Sequence, residues 1–191
     1  MRKLWSLALH RLNSSRNARC IWAGDSRHLC LLKIVMLRIG AAVLYGIVHD
    51  QITARICVEY FTLGHPDIFG TDSPTLLGLG WGIVATWWVG ALLGCLLRVA
   101  ARYGTAPKSG TRDLVRPVFF MMLCSACVDT LAGITGYFLA RSGSIGLSQR
   151  MAEAVPPQKH IAYRTDLWTH NGSYLAGFLG GGVLAMVICV K

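Results

Sequence analysis

Acidic side chains are scarce in this chain: nine Asp and Glu stand among 191 residues, against nineteen Lys and Arg. Charged residues of either sign make up only 15% of it and apolar residues 53%, respectively well below and above what soluble domains carry. A soluble protein this short has too little interior to hide so much apolar surface. A bilayer can receive it, so the class is an integral membrane protein, and a mean hydropathy of +0.47 agrees. The length allows one domain or two small ones.

Ready-made catalytic signatures are also missing. There is no H-E-x-x-H, no paired C-x-x-C, no serine-hydrolase elbow, no nucleotide fingerprint and no internal repeat. Gly78-x-Gly80-x-Gly82 lacks the Lys and Ser/Thr that a phosphate loop needs. Seven cysteines are an odd number without a disulfide framework. Cys95, Cys124, Cys127 and Cys189 lie in apolar segments, where cysteine acts as a small hydrophobe. Cys124-Ser-Ala-Cys127 is similar to the pair of quinone-coupled thiol oxidases, but no second pair occupies an outer loop, and core packing is the expected role.

What the chain does contain is four long apolar stretches, at about 29–48, 75–101, 117–140 and 172–190. In lipid every backbone polar group must be satisfied internally, which leaves helices or closed barrels. The stretches lack the alternation of barrel strands. The expectation is an all-α integral membrane four-helix bundle over 29–191, behind a basic N-terminal extension at 1–28. That extension lacks the small-residue cleavage site of a secretory signal. Pro117 suits the first turn of the third helix, and Lys33 and Arg38 are expected to snorkel to the surface near the start of the first.

The excess positive charge has a topological reading. Arg2, Lys3, Arg11, Arg16, Arg19, Arg27 and Lys33 precede or enter the first stretch, and Arg98, Arg102, Lys108, Arg112 and Arg116 fall between the second and third. Basic loops stay in the cytoplasm, so both termini are expected there, and no nucleic-acid partner is implied because no basic face interleaved with aromatics exists. The 49–74 connection has Arg55 beside Asp50, Glu59, Asp67 and Asp72, and goes outside. The 141–171 connection follows by parity, although Arg141, Arg150, Lys159 and Arg164 weigh against it. The bilayer is the first partner. Glycines at 78, 80, 82, 90, 94, 177, 180 and 181 permit close helix contact, within the chain or in a homo-oligomer, with Trp81, Trp87 and Trp88 as packing groups or interface anchors.

Two polar clusters then fall on the same outer side: HDQITARICVEYFTLGH at 49–65 and KHIAYRTDLWTHNGSY at 159–174. Asp166 and His170 are four apart and share a helix face, with Tyr163 and Ser173 near it. A site drawing on both clusters uses His49, His65, His160, Asp166 and His170 as metal ligands, with Asp50 and Glu59 as catalytic carboxylates. Mixed His and carboxylate donors suit zinc, iron or manganese without thiolate. Metal-assisted hydrolysis is the chemistry such ligands serve best. The competing reading is a solvated helix end with an Arg55–Glu59 ion pair and an exposed Asp–His pair. An unbroken first helix puts His49 and Glu59 about 15 Å apart, too far for one ion. Asp129, near the middle of the third stretch, is the candidate for a proton-coupled carrier, or else a neutral carboxyl bonded to a neighbouring Thr, Ser or Trp. A non-catalytic accessory protein is the third alternative.

The run HDQITARICVEYFTLGHPDIFGTDSPTLLGLGWGIVATWW resembles a block of uncharacterised bacterial integral membrane proteins, in which HDQ-x-T-A-R leads to EYF, then GH, then a Trp-rich span. The resemblance implies the inner membrane of a bacterium and carries no activity and no site residue.

Overall fold

The structure, a computed structural model, describes the backbone of residues 24–103 and 111–190 and the side chains of 32–101 and 111–190. Most of the basic 1–28 extension lies outside the described residues. The chain divides into two compact units, Met1–Lys33 and Ile34–Lys191; the bundle and its site belong to the second.

The described residues are helical, without strands. The elements are α1 (Gly24–Ile56), α2 (Val58–Thr62), α3 (Pro74–Val84), α4 (Trp87–Tyr103), α5 (Thr111–Arg141), α6 (Gln149–Ala154), a single 3₁₀ turn (Pro157–Lys159) and α7 (His160–Val190). Four segments are long and apolar enough to cross a membrane: Leu32–Ile56, Pro74–Ala101, Thr111–Arg141 and Pro157–Val190. The protein is an all-α, multi-pass membrane protein. The second crossing is made of α3 and α4, interrupted at Ala85–Thr86.

Glycines set how closely the helices approach. A Cβ on Gly82 would lie 2.6 Å from the Cα of Ile47, on Gly90 2.7 Å from that of Ile39, and on Gly94 3.0 Å from that of Val35. Each step along α3–α4 is matched by an equal step backwards on α1, the register of an antiparallel pair in backbone contact. The α5–α7 pair is built the same way: a Cβ on Gly172 would lie 3.2 Å from the Asp129 Cα, and one on Gly180 3.1 Å from Met121 Cγ. These small-residue faces pack within the chain. Two apolar clusters fill the bundle: Ile34, Leu97, Ala101, Leu114 and Val118, and Ala54, Cys57, Tyr60, Phe61, Leu77, Val155 and Tyr163.

The helices outrun their apolar stretches. α1 continues past Val48 to Ile56, and α7 begins at His160 rather than near Gly172. Among the polar residues concerned, His49, Asp50, Asp166 and His170 are buried in the bundle, and His49, Asp50 and His170 meet partners across it. α5 likewise begins at Thr111, which places Pro117 inside the helix. Arg38 does not snorkel: it is 1% exposed. Cys124 and Cys127 are free and exposed on the outer surface of α5 instead of packed in the core, as is Cys95 on α4. Trp87 and Trp88 are exposed as well.

The expected Arg55–Glu59 pair is absent, because Cys57 adopts an extended backbone (φ −149°, ψ 96°) that ends α1. Arg55 instead donates to Gln51 Oε1 at 2.9 Å and Thr75 Oγ1 at 3.0 Å. Glu59 pairs with Lys159 at 3.6 Å. That contact joins the two connections at the end of the bundle where α1 finishes and α7 begins.

Candidate metal centre

The buried side of α1 carries Arg38, Ala42, His49 and Thr53 at helical spacing, with half-buried Tyr45 among them. On α5 the corresponding stripe is Met121, Ser125, Asp129 and Gly133, and on α7 it includes Asp166, His170 and Gly172. The polar members of these stripes meet inside the bundle.

His49 and Asp129 form the first link. Nδ1 of His49 lies 2.9 Å from Oδ2 of Asp129, and the Tyr45 hydroxyl donates to the same oxygen. Thr130 Oγ1 donates to the other oxygen at 3.2 Å. Asp129 is therefore a paired carboxylate facing the bundle, with its partners on α1. Hydrogen bonding to carboxylate places the His49 proton on Nδ1 and leaves a lone pair on Nε2, which has no partner.

His170 repeats the arrangement with a different acceptor. Its Nδ1 lies 2.8 Å from the backbone carbonyl of Asp166. A carbonyl only accepts, so Nδ1 carries the hydrogen and the neutral ring keeps its lone pair on Nε2. That nitrogen lies 3.3 Å from Oδ1 of Asp50 but makes no hydrogen bond. Two electron-pair donors facing each other in a buried site are unfavourable unless a proton or a metal cation stands between them. The two imidazoles meet edge to face, with ring centroids 4.7 Å apart.

One ligand atom each from His49, Asp50 and His170 lie within 4.8 Å of one another, and all three residues are buried. Closing on zinc at about 2.0–2.2 Å per ligand asks for side-chain adjustments of about an ångström. Both imidazoles already have their outer nitrogen held by a carboxylate or a carbonyl, as metal-bound histidines do. Three protein ligands leave a coordination position for water or substrate.

The other residues expected at the site are placed differently. His65 lines the same small cavity of about 50 Å³ as His49, Asp50 and His170, and its Nδ1 bonds to the Tyr60 carbonyl at 3.0 Å, but it is outside the group whose ligand atoms come within 4.8 Å of one another and its ring packs on Trp81. His160 Nε2 bonds to the Val155 carbonyl at 2.9 Å and holds the approach to α7. Glu59 is engaged by Lys159 and accepts from the Cys57 thiol at 3.4 Å. Asp166 contributes its backbone carbonyl to His170, while its carboxyl is fully buried with neither oxygen hydrogen-bonded. Only Asp50 of the two proposed catalytic carboxylates belongs to the cluster. Tyr45 was not foreseen; its signal is the spacing of four to His49 in an otherwise apolar helix.

Beside this cluster, burial pushes the Tyr60 phenol well above its ordinary range, and its ring lies 4.4 Å from that of His170. Tyr60 is thus a neutral wall of the site. A larger groove of about 310 Å³ between α1, α5 and α7 is lined by His49 and Asp129 together with Val48, Ile52, Ile134, Thr165 and Thr169. Among known proteins, no family model, curated protein or solved structure matches this chain.

Proposed function

We propose that the protein binds a divalent transition metal between His49, Asp50 and His170 and uses it to hydrolyse a bond in a membrane-resident amphiphile. The observation that carries the reading is the pair of oriented imidazoles whose free Nε2 atoms share a buried site with the Asp50 carboxylate. A metal there lowers the pKa of bound water and polarises the bond under attack. Asp129, through His49, fixes the ring and raises its basicity toward the ion. The apolar groove that His49 and Asp129 help to line suits a hydrocarbon chain arriving sideways from the bilayer. The test is elemental analysis of the detergent-purified protein beside His170→Ala, with hydrolysis of lipid vesicles followed before and after chelation. One ion per chain, lost in the variant, and hydrolysis that stops on chelation and returns with metal support the reading. A metal content equal in both proteins sinks it.

A proton-coupled carrier is the second reading, favoured by the direct link from Asp129 to His49. In liposomes a carrier would move protons with its cargo and lose that coupling in Asp129→Asn, whereas an enzyme would release product without a gradient.

For location we propose the inner membrane of a bacterium with both termini in the cytoplasm, on the basic residues that crowd 1–33 and 98–116. A reporter fused at Asp67 should then read periplasmic, and a cytoplasmic signal there would invert the bundle. Of the membrane-helix glycines that meet no neighbour, Gly40 and Gly182 are the surface left for a homo-oligomer contact.

A further inference from the structure

Arg38 lies five residues beyond Lys33 in α1, inside the membrane-spanning segment, and is 1% exposed. Its guanidinium carries five N–H donors. It makes one hydrogen bond, from Nη1 to the Met121 sulfur at 3.5 Å, and no ion pair with a described residue. The carboxylates nearest along α5 are Asp113 and Asp129, each eight residues from Met121 and about 12 Å along the axis; Asp113 is exposed at the start of α5, and His49 and Tyr45 already hold Asp129. A cation buried in a bilayer-spanning helix with a thioether as its partner is costly unless something anionic joins it.

The space for that anion is present. Arg38 lines a cavity of about 50 Å³ together with Ala42, Met121, Ser125 and Gly177, room for a group of a few heavy atoms. Ser125 is 2% exposed and its Oγ has no hydrogen-bond partner. Of the other hydroxyls lining the cavity, Thr86 donates to the Gly82 carbonyl, Tyr174 to that of Ala85 and Tyr45 to Asp129, and Ser173 is engaged by Tyr45. A guanidinium whose one hydrogen bond goes to a thioether and a hydroxyl with no partner thus line one small cavity from α1 and α5. Both lie in the buried stripes that carry His49 and Asp129 further along, and neither belongs to the metal cluster.

The geometry points to an intramembrane oxyanion site in which Arg38 and Ser125 bind a phosphate or carboxylate group. A guanidinium offers two parallel N–H bonds to such a group, and the hydroxyl takes a further oxygen. The anion is either a free ion or the headgroup of a lipid drawn into the bundle. The site stands independently of the metal centre.

The test uses the full chain purified in a neutral detergent. Its unfolding midpoint is measured in sodium phosphate, sodium acetate and sodium chloride at equal ionic strength, and in micelles doped with phosphatidylglycerol or phosphatidylcholine. Wild type should be stabilised by phosphate or acetate over chloride if the anion is free, or by phosphatidylglycerol over phosphatidylcholine if it is a headgroup. Arg38→Met should abolish the response, and Ser125→Ala, which removes one oxygen from a small site, should weaken it while the fold persists. Should Arg38→Met fail to fold, Ser125→Ala decides. A wild type that responds to none of these anions, or a response unchanged in Ser125→Ala and Arg38→Met, would overturn the site and leave Arg38 a packed side chain.

Discussion

The imidazole of His49 and the carboxylate of Asp129 lie 2.9 Å apart, eighty positions distant in the chain. The contact merges two features that look separate in the sequence, a mid-membrane acid and a polar helix end. Asp129→Asn keeps an oxygen that can accept from Nδ1 and from Tyr45, so the unfolding midpoint should stay close to wild type. The amide holds the ring less firmly and lowers its basicity, and metal affinity should fall about 10–100-fold. Asp129→Leu leaves both donors unsatisfied and should destabilise the bundle by roughly 1–3 kcal/mol. Thermal unfolding and metal titration of the two variants separate these effects. Equal affinity in wild type and Asp129→Asn would remove Asp129 from the centre.

Metal removal should be visible as stability. An ion that binds only the folded chain adds about 2.7 kcal/mol at a hundredfold excess over its dissociation constant. For a chain of this size that is a midpoint shift of roughly 5–10 °C. Chelation should therefore lower the midpoint of wild type and leave Asp50→Asn and His170→Ala nearly unmoved. Binding requires neutral imidazoles, so the metal-dependent part should fade as acid protonates them. A chelator effect of the same size in all three proteins would place the ion elsewhere.

Four crossings were legible because apolar length is a strong, local signal. The ends of α1 and α7 were not, since His49, Asp50 and His170 also read as a solvated helix end when they meet partners across the bundle, and Asp166 when it is buried. The convergence of the two clusters followed from counting crossings, and it supplied His49, Asp50 and His170. It could not sort them from His65, His160 and Glu59, because backbone carbonyls and Lys159 that engage those three come from tertiary contacts. Asp129 stayed apart from the cluster because its depth was measured along α5 alone. The buried stripe through Arg38, Tyr45 and His49 was present in the helical spacing of an otherwise apolar segment, and only the belief that basic residues near a span end reach the surface concealed its first member.

The Cys57 thiol should be protected by its environment. Burial pushes the Cys57 thiol from its ordinary value of 9.0 up to about 12, and the residue is fully buried. The raised value means the folded state favours the thiol. Its contribution to stability is present below pH 9 and is lost as pH rises from about 9 to about 12. At pH 8 a small maleimide should spare Cys57 in the folded protein and label it once the protein is unfolded. Mass spectrometry of labelled peptides reads the outcome, and early modification of Cys57 would mean that the end of α1 opens.

The glycine seam offers the sharpest contrast between positions of identical chemistry. A methyl on Gly82 would meet the backbone of Ile47, with 2.6 Å to its Cα. Backbone cannot turn aside, so α1 and α3 must separate along the segment that carries His49 and Asp50. Gly82→Ala should cost about 1–3 kcal/mol, the range for forcing volume into a packed interface, and should weaken metal binding by displacing its ligands. At Gly177 nothing lies within 4 Å of the added methyl. Alanine also has the higher helix propensity there. Gly177→Ala should therefore leave stability and metal binding unchanged or raise stability slightly. Unfolding midpoints and metal titrations of the two proteins test the register of the seam: similar losses in both, or tolerance at Gly82, would mean that α1 and α3 do not meet where the structure brings them together.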